Sequence, residues 1–513
     1  MISDFRFVLT LDIGTSSLRA MLFDTRARAL PGCETKIAYD VATTPDGGNQ
    51  LDADAMLARA ERALDETLAR AGEHAHNIVA VVSASLVSNV LGVDADGRAV
   101  TPVFTYADTR CAREVAELRA RFDEEQTHQR VGTLFHTSYL PARFLWLARE
   151  RAEEFQRAKF WMSLGEYFLL RWTGERACSY SVASWTGLLN RAKLEWDAEL
   201  INQLPITDSQ LSPLVDFDFP VGTLRDEYAT RWRALAHAKF FPTLGDGAAV
   251  NIGSGCVNAS RIALTIGTSS AMRVVIPEGE RGRGSEGVRN FSHALTLPLS
   301  PSQIPHGLWS YRVTRAHELV GGALSEGGAL FDWMTNEILR LDPATIETEL
   351  AAMLPDAHGL TVLPFLAGER APNWNADARG AIIGLSLHTR PLDILRAGLE
   401  AIAYRLGLIF ELLRGVAPHA TQVIASGGAL MQSPTWVQII ADVLGVPVIA
   451  SAENEATSRG AALLALNALG VIAALDELPA RTGAIVPPDA ARHAIYARAQ
   501  ERQESLYNAV VRK

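Results

Sequence analysis

Cysteine is scarce in this chain: Cys33, Cys111, Cys178 and Cys256 are the only four in 513 residues, and no two stand at C-x-x-C spacing. That excludes a disulfide-dense scaffold and a cysteine-built zinc site, and it points to a reducing cytoplasm. A basic surplus is also missing. With a formal net charge of −10, neither a nucleic acid nor a membrane surface is the expected partner, and any phosphate must be gripped by local groups. No apolar run is long enough to cross a bilayer, and the most apolar stretch, Ala461 to Leu475, reads as a buried helix. Asp4, Arg6 and Asp12 interrupt the N-terminal stretch that a secretory leader would need. Several motifs are absent too. There is no G-x-x-x-x-G-K-[ST] and no G-x-S-x-G, and His317-Glu318 lacks the second histidine of a zinc-protease helix. The one G-x-G-x-x-G match, Gly282 to Gly287, lies in a charged stretch and reads as a flexible loop.

What is present is the balance of a large soluble globular protein, 48% apolar and 21% charged, with length enough for about two to four domains. Phe5 to Phe23 reads as two apolar strands joined by a turn rich in Gly, Thr and Ser. The pentapeptide I-G-T-S-S recurs intact at Ile13 and Ile266, about half the chain apart, which predicts two copies of one domain, each with such a hairpin. Gly14 and Gly267 let backbone N–H groups approach an anion, and Thr15, Ser16, Thr268 and Ser269 add hydroxyl donors. The alternative for a single such loop is a solvated turn. The copies differ at one position: Asp12 offers a carboxylate to a metal, where the second copy has Thr265.

Between the hairpins, Asp246 sits between two glycines in F-P-T-L-G-D-G-A-A and is the candidate catalytic carboxylate, placed to accept the proton of a poorly nucleophilic hydroxyl. The bland reading is a turn Asp. Ser88 and Asn89 interrupt a strand-like segment from Ser83 to Asp94 and are candidates to face a polar ligand. Tyr106, Asp108 and Arg110 put a ring, a carboxylate and a guanidinium within five residues, either for a polyhydroxylated ligand or as a salt-bridged helix start. Gly427-Gly428 turns a strand end into an amphipathic helix, and Gly327-Gly328 closes G-G-A-L-S-E-G-G; both pairs admit a nucleotide or merely tighten packing.

These ordered motifs resemble the FGGY family of carbohydrate kinases over about Phe5 to Ala462. Tyr139-L-P-A-R-F-L-W-L resembles the first family signature, with Arg143 where Lys is usual, and Gly380 to Glu400 resembles the second. The resemblance implies an α/β fold of two duplicated ribonuclease-H-like, actin-like ATPase domains with a cleft between them. It also implies ATP with Mg²⁺ and phosphoryl transfer to a carbohydrate hydroxyl. It makes Asp246 the base and Asp12 the metal-side carboxylate. Gly14, Thr15 and Ser16 then form the first phosphate loop, and Gly267, Thr268 and Ser269 the second. Gly327, Gly328, Gly427, Gly428 and Gln432 fall on the nucleotide side, and Ser88, Asn89, Tyr106, Asp108, Arg110 and Asp246 on the substrate side. The expected domains are 1–250, 251–470 and a helical extension over 471–513.

Within the family, T-P-V-F-T-Y-A-D-T-R, F-H-T-S-Y-L-P-A and G-G-A-L-S-E-G-G look most like gluconate kinases, and Arg110 is the candidate partner for a substrate carboxylate. Val87-Ser88 stands where Trp-His is usual, and Tyr106 where Trp is usual. Rival readings are a xylulose, ribulose or glycerol-type kinase and, in another class, a non-catalytic sugar or nucleotide sensor. The expected partners are a small carbohydrate and ATP, and a homo-oligomer is compatible with this reading.

Overall fold

The structure is a computed structural model that describes residues 6–278 and 303–511; the G-x-G-x-x-G stretch at Gly282 to Gly287 lies outside the described residues. The chain forms two compact units. The first comprises Met1–Gly255, Ser310–Leu319 and Glu455–Pro479; the second comprises Cys256–Trp309, Val320–Asn454 and Ala480–Lys513.

In the first unit, F-V-L-T-L-D-I forms the strand Phe7–Ile13, buried throughout except at Asp12. A nearly continuous run of β-branched and aliphatic residues suits a strand covered on both faces. It pairs antiparallel with Ser17–Phe23 and parallel with Ile78–Ser85. Ala29–Ala38 extends the sheet antiparallel beyond Ser17–Phe23, and Lys239–Phe240 lies parallel on the far side of Ile78–Ser85. The helix Ala53–Ala71 begins where the Asp52 carboxylate accepts the Ala55 N–H, and it turns Met56, Leu57, Ala60 and Leu64 into the core.

The second unit repeats this order. Arg261–Ile266 pairs antiparallel with Ser270–Pro277 and parallel with Gln422–Ser426, and Val448–Ser451 continues the parallel side. His317–Leu324 lies next to Ser270–Pro277, as Ala29–Ala38 lies next to Ser17–Phe23. The helix Pro391–Val416 packs its buried face, including Leu395, Leu399, Ile402 and Ile409, into this unit's core. The expected duplicated α/β fold is therefore present.

Two local expectations change. Ser83 to Asp94 is two strands, Ile78–Ser85 and Leu91–Val93, because the chain breaks at Ser88, whose φ of +54° no strand accommodates. The segment 471–513 carries the strand Thr482–Val486, antiparallel to Val448–Ser451, ahead of its helix Ala490–Val510. Its T-G-A-I-V sequence is too short and mostly exposed to announce a strand. The segment Ala461 to Leu475 does supply a buried helix, Ala456–Ala468.

Candidate active site

Asp12 stands near the C-terminal end of Phe7–Ile13, the edge at which open α/β sheets expose their ligand-binding positions. Across the parallel pairing it faces Ala84 of the neighbouring strand, and Gly245 faces Ser85 from that strand's other side. One strand edge thus brings Asp12 and Asp246 together, although they are far apart in sequence. Burial pushes the Asp12 carboxyl up to about 7, the charge of Asp246 pushes in the same direction, and Arg19 opposes both.

Asp246 opens the helix Asp246–Gly253, where its negative charge complements the helix N-terminus; its Oδ1 accepts the Gly247 N–H at 2.7 Å. Gly245 must be glycine, because a Cβ there would lie 2.8 Å from Trp185 Nε1 and 2.8 Å from Val87 Cγ1. The other end of the helix is fixed against Ala456–Ala468. A Cβ on Gly253 would meet the Ala456 carbonyl oxygen at 1.7 Å, and one on Gly460 the Ala249 oxygen at 1.9 Å. Arg459 donates to the Gly253 carbonyl at 2.7 Å, a cation placed at a helix C-terminus. This packing explains why Glu455–Pro479 belongs to the first unit.

The first Gly-rich turn joins two strands, with Thr15 and Ser16 exposed at its tip. The Gly14 N–H donates to the Ser17 carbonyl at 3.0 Å. Tyr39 clasps the turn from the next strand's end: its hydroxyl donates to the Gly14 carbonyl and its N–H to that of Ser16. Arg19, cross-strand from Asp12, is ion-paired with Glu455.

The second turn lies in the second unit, with Thr268 and Ser269 exposed. Here Gly327 and Gly328 close in on it. The Gly328 N–H donates to the Gly267 carbonyl at 2.7 Å, and the Ala329 N–H to that of Thr268 at 3.1 Å. A Cβ on Gly327 would sit 2.7 Å from the Ser269 carbonyl carbon, and one on Gly328 2.7 Å from the Gly267 oxygen. Gly427 adopts a φ of +102° against the Ile266 backbone, Gly428 opens the short helix Gly428–Met431, and Gln432 follows it, exposed. The expected nucleotide-side glycines therefore gather around one turn.

The substrate-side candidates divide. Tyr106 is exposed. Asn89 is buried, with its amide donating to the Leu86 carbonyl at 2.5 Å and its oxygen accepting the Leu164 N–H at 2.7 Å. The Ser88 hydroxyl donates to the Trp185 carbonyl at 2.6 Å. Arg110 makes a two-point ion pair with Asp108, 3.1 Å to Oδ1 and 2.6 Å to Oδ2, and stacks 4.5 Å from the Trp146 ring centre. This is the salt-bridged start of the helix Ala112–Arg121, and it leaves the pair electrically balanced.

Tyr39, Arg19, Glu455 and Trp185 join the site with no motif to announce them. Each depends on chain-distant neighbours that strand register and helix packing bring in. Asp356, His358 and Glu400 form the one metal-like cluster among the described residues. Its acceptors are already filled: Glu400 receives His358, Arg396, Tyr404 and Tyr496, and Asp356 receives Arg502. It is a structural network.

Both halves match models of the FGGY family of carbohydrate kinases, residues 7–253 the N-terminal domain and residues 263–469 the C-terminal domain. The chain belongs to that family and is a carbohydrate kinase, a phosphotransferase for which membership implies ATP and a sugar. It is 27% identical to a gluconokinase of Bacillus subtilis, covering 92% of this chain and 89% of that protein. It is 30% identical to a glycerol kinase of Leptothrix cholodnii, covering 92% and 93%. A crystal structure of gluconate kinase from Lactobacillus acidophilus matches the fold with a TM-score of 0.87 over 99% of this chain and 98% of that one, at 24% identity. Among the described residues no helix is long and apolar enough to cross a membrane.

Proposed function

We propose that this kinase transfers the γ-phosphoryl group of ATP to a hydroxyl of a sugar acid of gluconate type, with Asp246 as general base and Asp12 as a Mg²⁺ ligand. What carries the reading is the pair of carboxylates at one strand edge. Two adjacent anions, one of them held up to about 7, form an unfavourable arrangement that a hard divalent cation relieves, and carboxylate oxygen is the donor Mg²⁺ prefers. Held there by Asp12, the ion would supply charge neutralisation on the phosphates. Asp246 accepts the hydroxyl proton as the new P–O bond forms and the bond to ADP breaks. Gly14, Thr15, Ser16, Gly267, Thr268 and Ser269 supply phosphate donors, and Gly327, Gly328, Gly427, Gly428 and Gln432 flank the nucleotide. Tyr106 presents its ring to the sugar, while Ser88, Asn89 and Asp108 shape the pocket wall. The relative named gluconokinase supports the sugar-acid assignment. Since Asp108 already balances Arg110, the substrate carboxylate is recognised by hydrogen bonds more than by an unpaired charge.

The test is ADP release over gluconate, other aldonates, ketopentoses and glycerol, ranked by kcat/KM, because discrimination appears in that ratio. A neutral ketose or polyol leading by about tenfold, roughly 1.4 kcal/mol, overturns the sugar-acid reading while leaving the kinase intact. Asp246→Asn should abolish turnover yet still bind ATP and sugar; near-normal kcat would remove Asp246 from the base role.

A further inference from the structure

The geometry points to Arg143 as the positioning residue that sets the shape of the sugar pocket, by tying the backbones of three separate pocket segments to one guanidinium. Arg143 lies in the first turn of the helix Leu140–Glu150 and is buried, at 1% exposure. Its two terminal nitrogens carry four N–H bonds, and four carbonyls meet them. Nη1 donates to Ser88 at 3.3 Å and Phe104 at 3.4 Å; Nη2 donates to Asp108 at 3.0 Å and Thr137 at 2.9 Å. The carbonyls come from the Val87 to Asn89 break, from the run that holds Tyr106 and Asp108, and from the segment leading to Tyr139.

Three observations make this more than a packing detail. First, a buried guanidinium near a helix N-terminus is doubly unfavourable, since it loses water and faces the positive end of the helix dipole. The nearby Asp108 carboxylate is engaged by Arg110, so Arg143 is met directly by the four carbonyls and the Cys111 side chain. Second, Ser88 is held in the left-handed region at φ +54°, a conformation a non-glycine residue keeps only when its surroundings impose it. Arg143 grips its carbonyl, and Trp185 accepts its hydroxyl from the other side. Third, Trp185 and Val87, the residue before Ser88, are the side chains that exclude a Cβ at Gly245, the residue before Asp246. Position is thereby transmitted from Arg143 through Ser88 and Trp185 to the backbone that carries the proposed base.

The planar guanidinium directs donors outward in a fixed fork, whereas the lysine usual at this position in the family offers three donors from a single point, one fewer than the four carbonyls that meet Arg143 in this chain. The inference rests on the reading that these segments form the sugar pocket, so the experiment separates the two. In the full-length enzyme, Arg143→Lys, Arg143→Ala and, as a control on the pocket, Tyr106→Ala are compared by sugar KM, ATP KM, kcat and melting temperature. Arg143→Lys should raise the sugar KM by about tenfold or more, leave the ATP KM within about twofold and flatten the ranking among sugars. Dilute guanidinium ion added to Arg143→Ala should recover part of the lost sugar affinity. An unchanged sugar KM in Arg143→Lys, or sugar and ATP KM rising together as the melting temperature falls, overturns the inference. If Tyr106→Ala raises the sugar KM and Arg143→Lys does not, only this inference fails. If neither moves it, the pocket reading fails as well.

Discussion

The same five residues, I-G-T-S-S, make two different turns. In the first unit Ile13 pairs with Leu18; in the second Ile266 pairs with Ser270, one residue earlier. Slipping an antiparallel register by one residue changes which side chains stand opposite each other. Asp12 consequently has Arg19 across from it, and Thr265 has Ala271. The turns are also clasped differently, one by the Tyr39 hydroxyl and one by the N–H groups of Gly328 and Ala329. Duplication supplied two Gly-rich loops, and small changes in register and support set them apart. One became a charged loop with a carboxylate and its counter-ion; the other became a neutral cradle closed by backbone.

The strongest way to break that comparison is to remove what sets the loops apart. Asp12→Asn should lower kcat/KM for Mg²⁺-ATP by about 10²- to 10³-fold, the usual consequence of losing a preorganised electrostatic group. Thr265→Ala removes a hydroxyl that lies 3.2 Å from Ser426 and should cost only a few-fold. Equal effects in a magnesium titration would mean that the loops share the metal-side role.

The pH dependence sharpens the same point. A carboxyl raised to about 7 in the folded protein and 3.8 in the unfolded chain makes the folded state the tighter proton binder between those values. Stability from this group is therefore lost as pH rises through that window, and ionised Asp12 destabilises the magnesium-free protein above it. Asp12→Asn should melt higher than the parent at pH 8 without magnesium, by about 2–4 °C for each kcal/mol relieved, with the difference vanishing toward pH 4. A lower melting temperature at pH 8 would show that Arg19 compensates the ionised form fully.

Much of this was legible in the chain because the informative residues are local. Asp12, Asp246 and the repeated pentapeptide stand in short motifs that announce the roles proposed for them, and alternating or continuous apolar runs mark the strands around them. Arg110 was legible as a residue and not as a role, since its pairing with Asp108 leaves the sequence open between ligand contact and helix start. Tyr39 and Glu455 were not legible, because only the register beyond Ser17–Phe23 and the packing of Ala456–Ala468 bring them to the turn and to Arg19.

Backbone closure of the second turn predicts an intermediate effect. Gly328→Ala would put a methyl 2.6 Å from the Ala429 Cβ and 2.7 Å from the Gly267 oxygen, whereas at Gly14 the nearest atom is the Ser17 oxygen at 3.3 Å. Overpacking of this kind costs about 1–3 kcal/mol, so Gly328→Ala should raise the ATP KM by about tenfold and Gly14→Ala by less. The reverse order would shift the main nucleotide contact to the first turn.

The smallest expected effect tests whether the tyrosine clasp matters to its turn as the glycines do to theirs. Burial and the neighbouring Asp12 carboxylate push the Tyr39 hydroxyl far above its ordinary value, so it stays a donor at every working pH. Its bond to the Gly14 carbonyl is therefore constant, unlike anything that depends on Asp12. Tyr39→Phe deletes that one donor and keeps the buried ring, and a single neutral hydrogen bond contributes about 1 kcal/mol net. The turn keeps its Gly14-to-Ser17 bond and the Tyr39 N–H bond to the Ser16 carbonyl, so it should loosen without unfolding. An ATP KM raised about threefold to fivefold, equally at pH 6 and pH 8, with kcat nearly unchanged, is the expected result. A loss larger than that of Gly328→Ala would make Tyr39 the main support of the nucleotide. A loss confined to pH 8 would tie it to the charge on Asp12 and not to the shape of the turn.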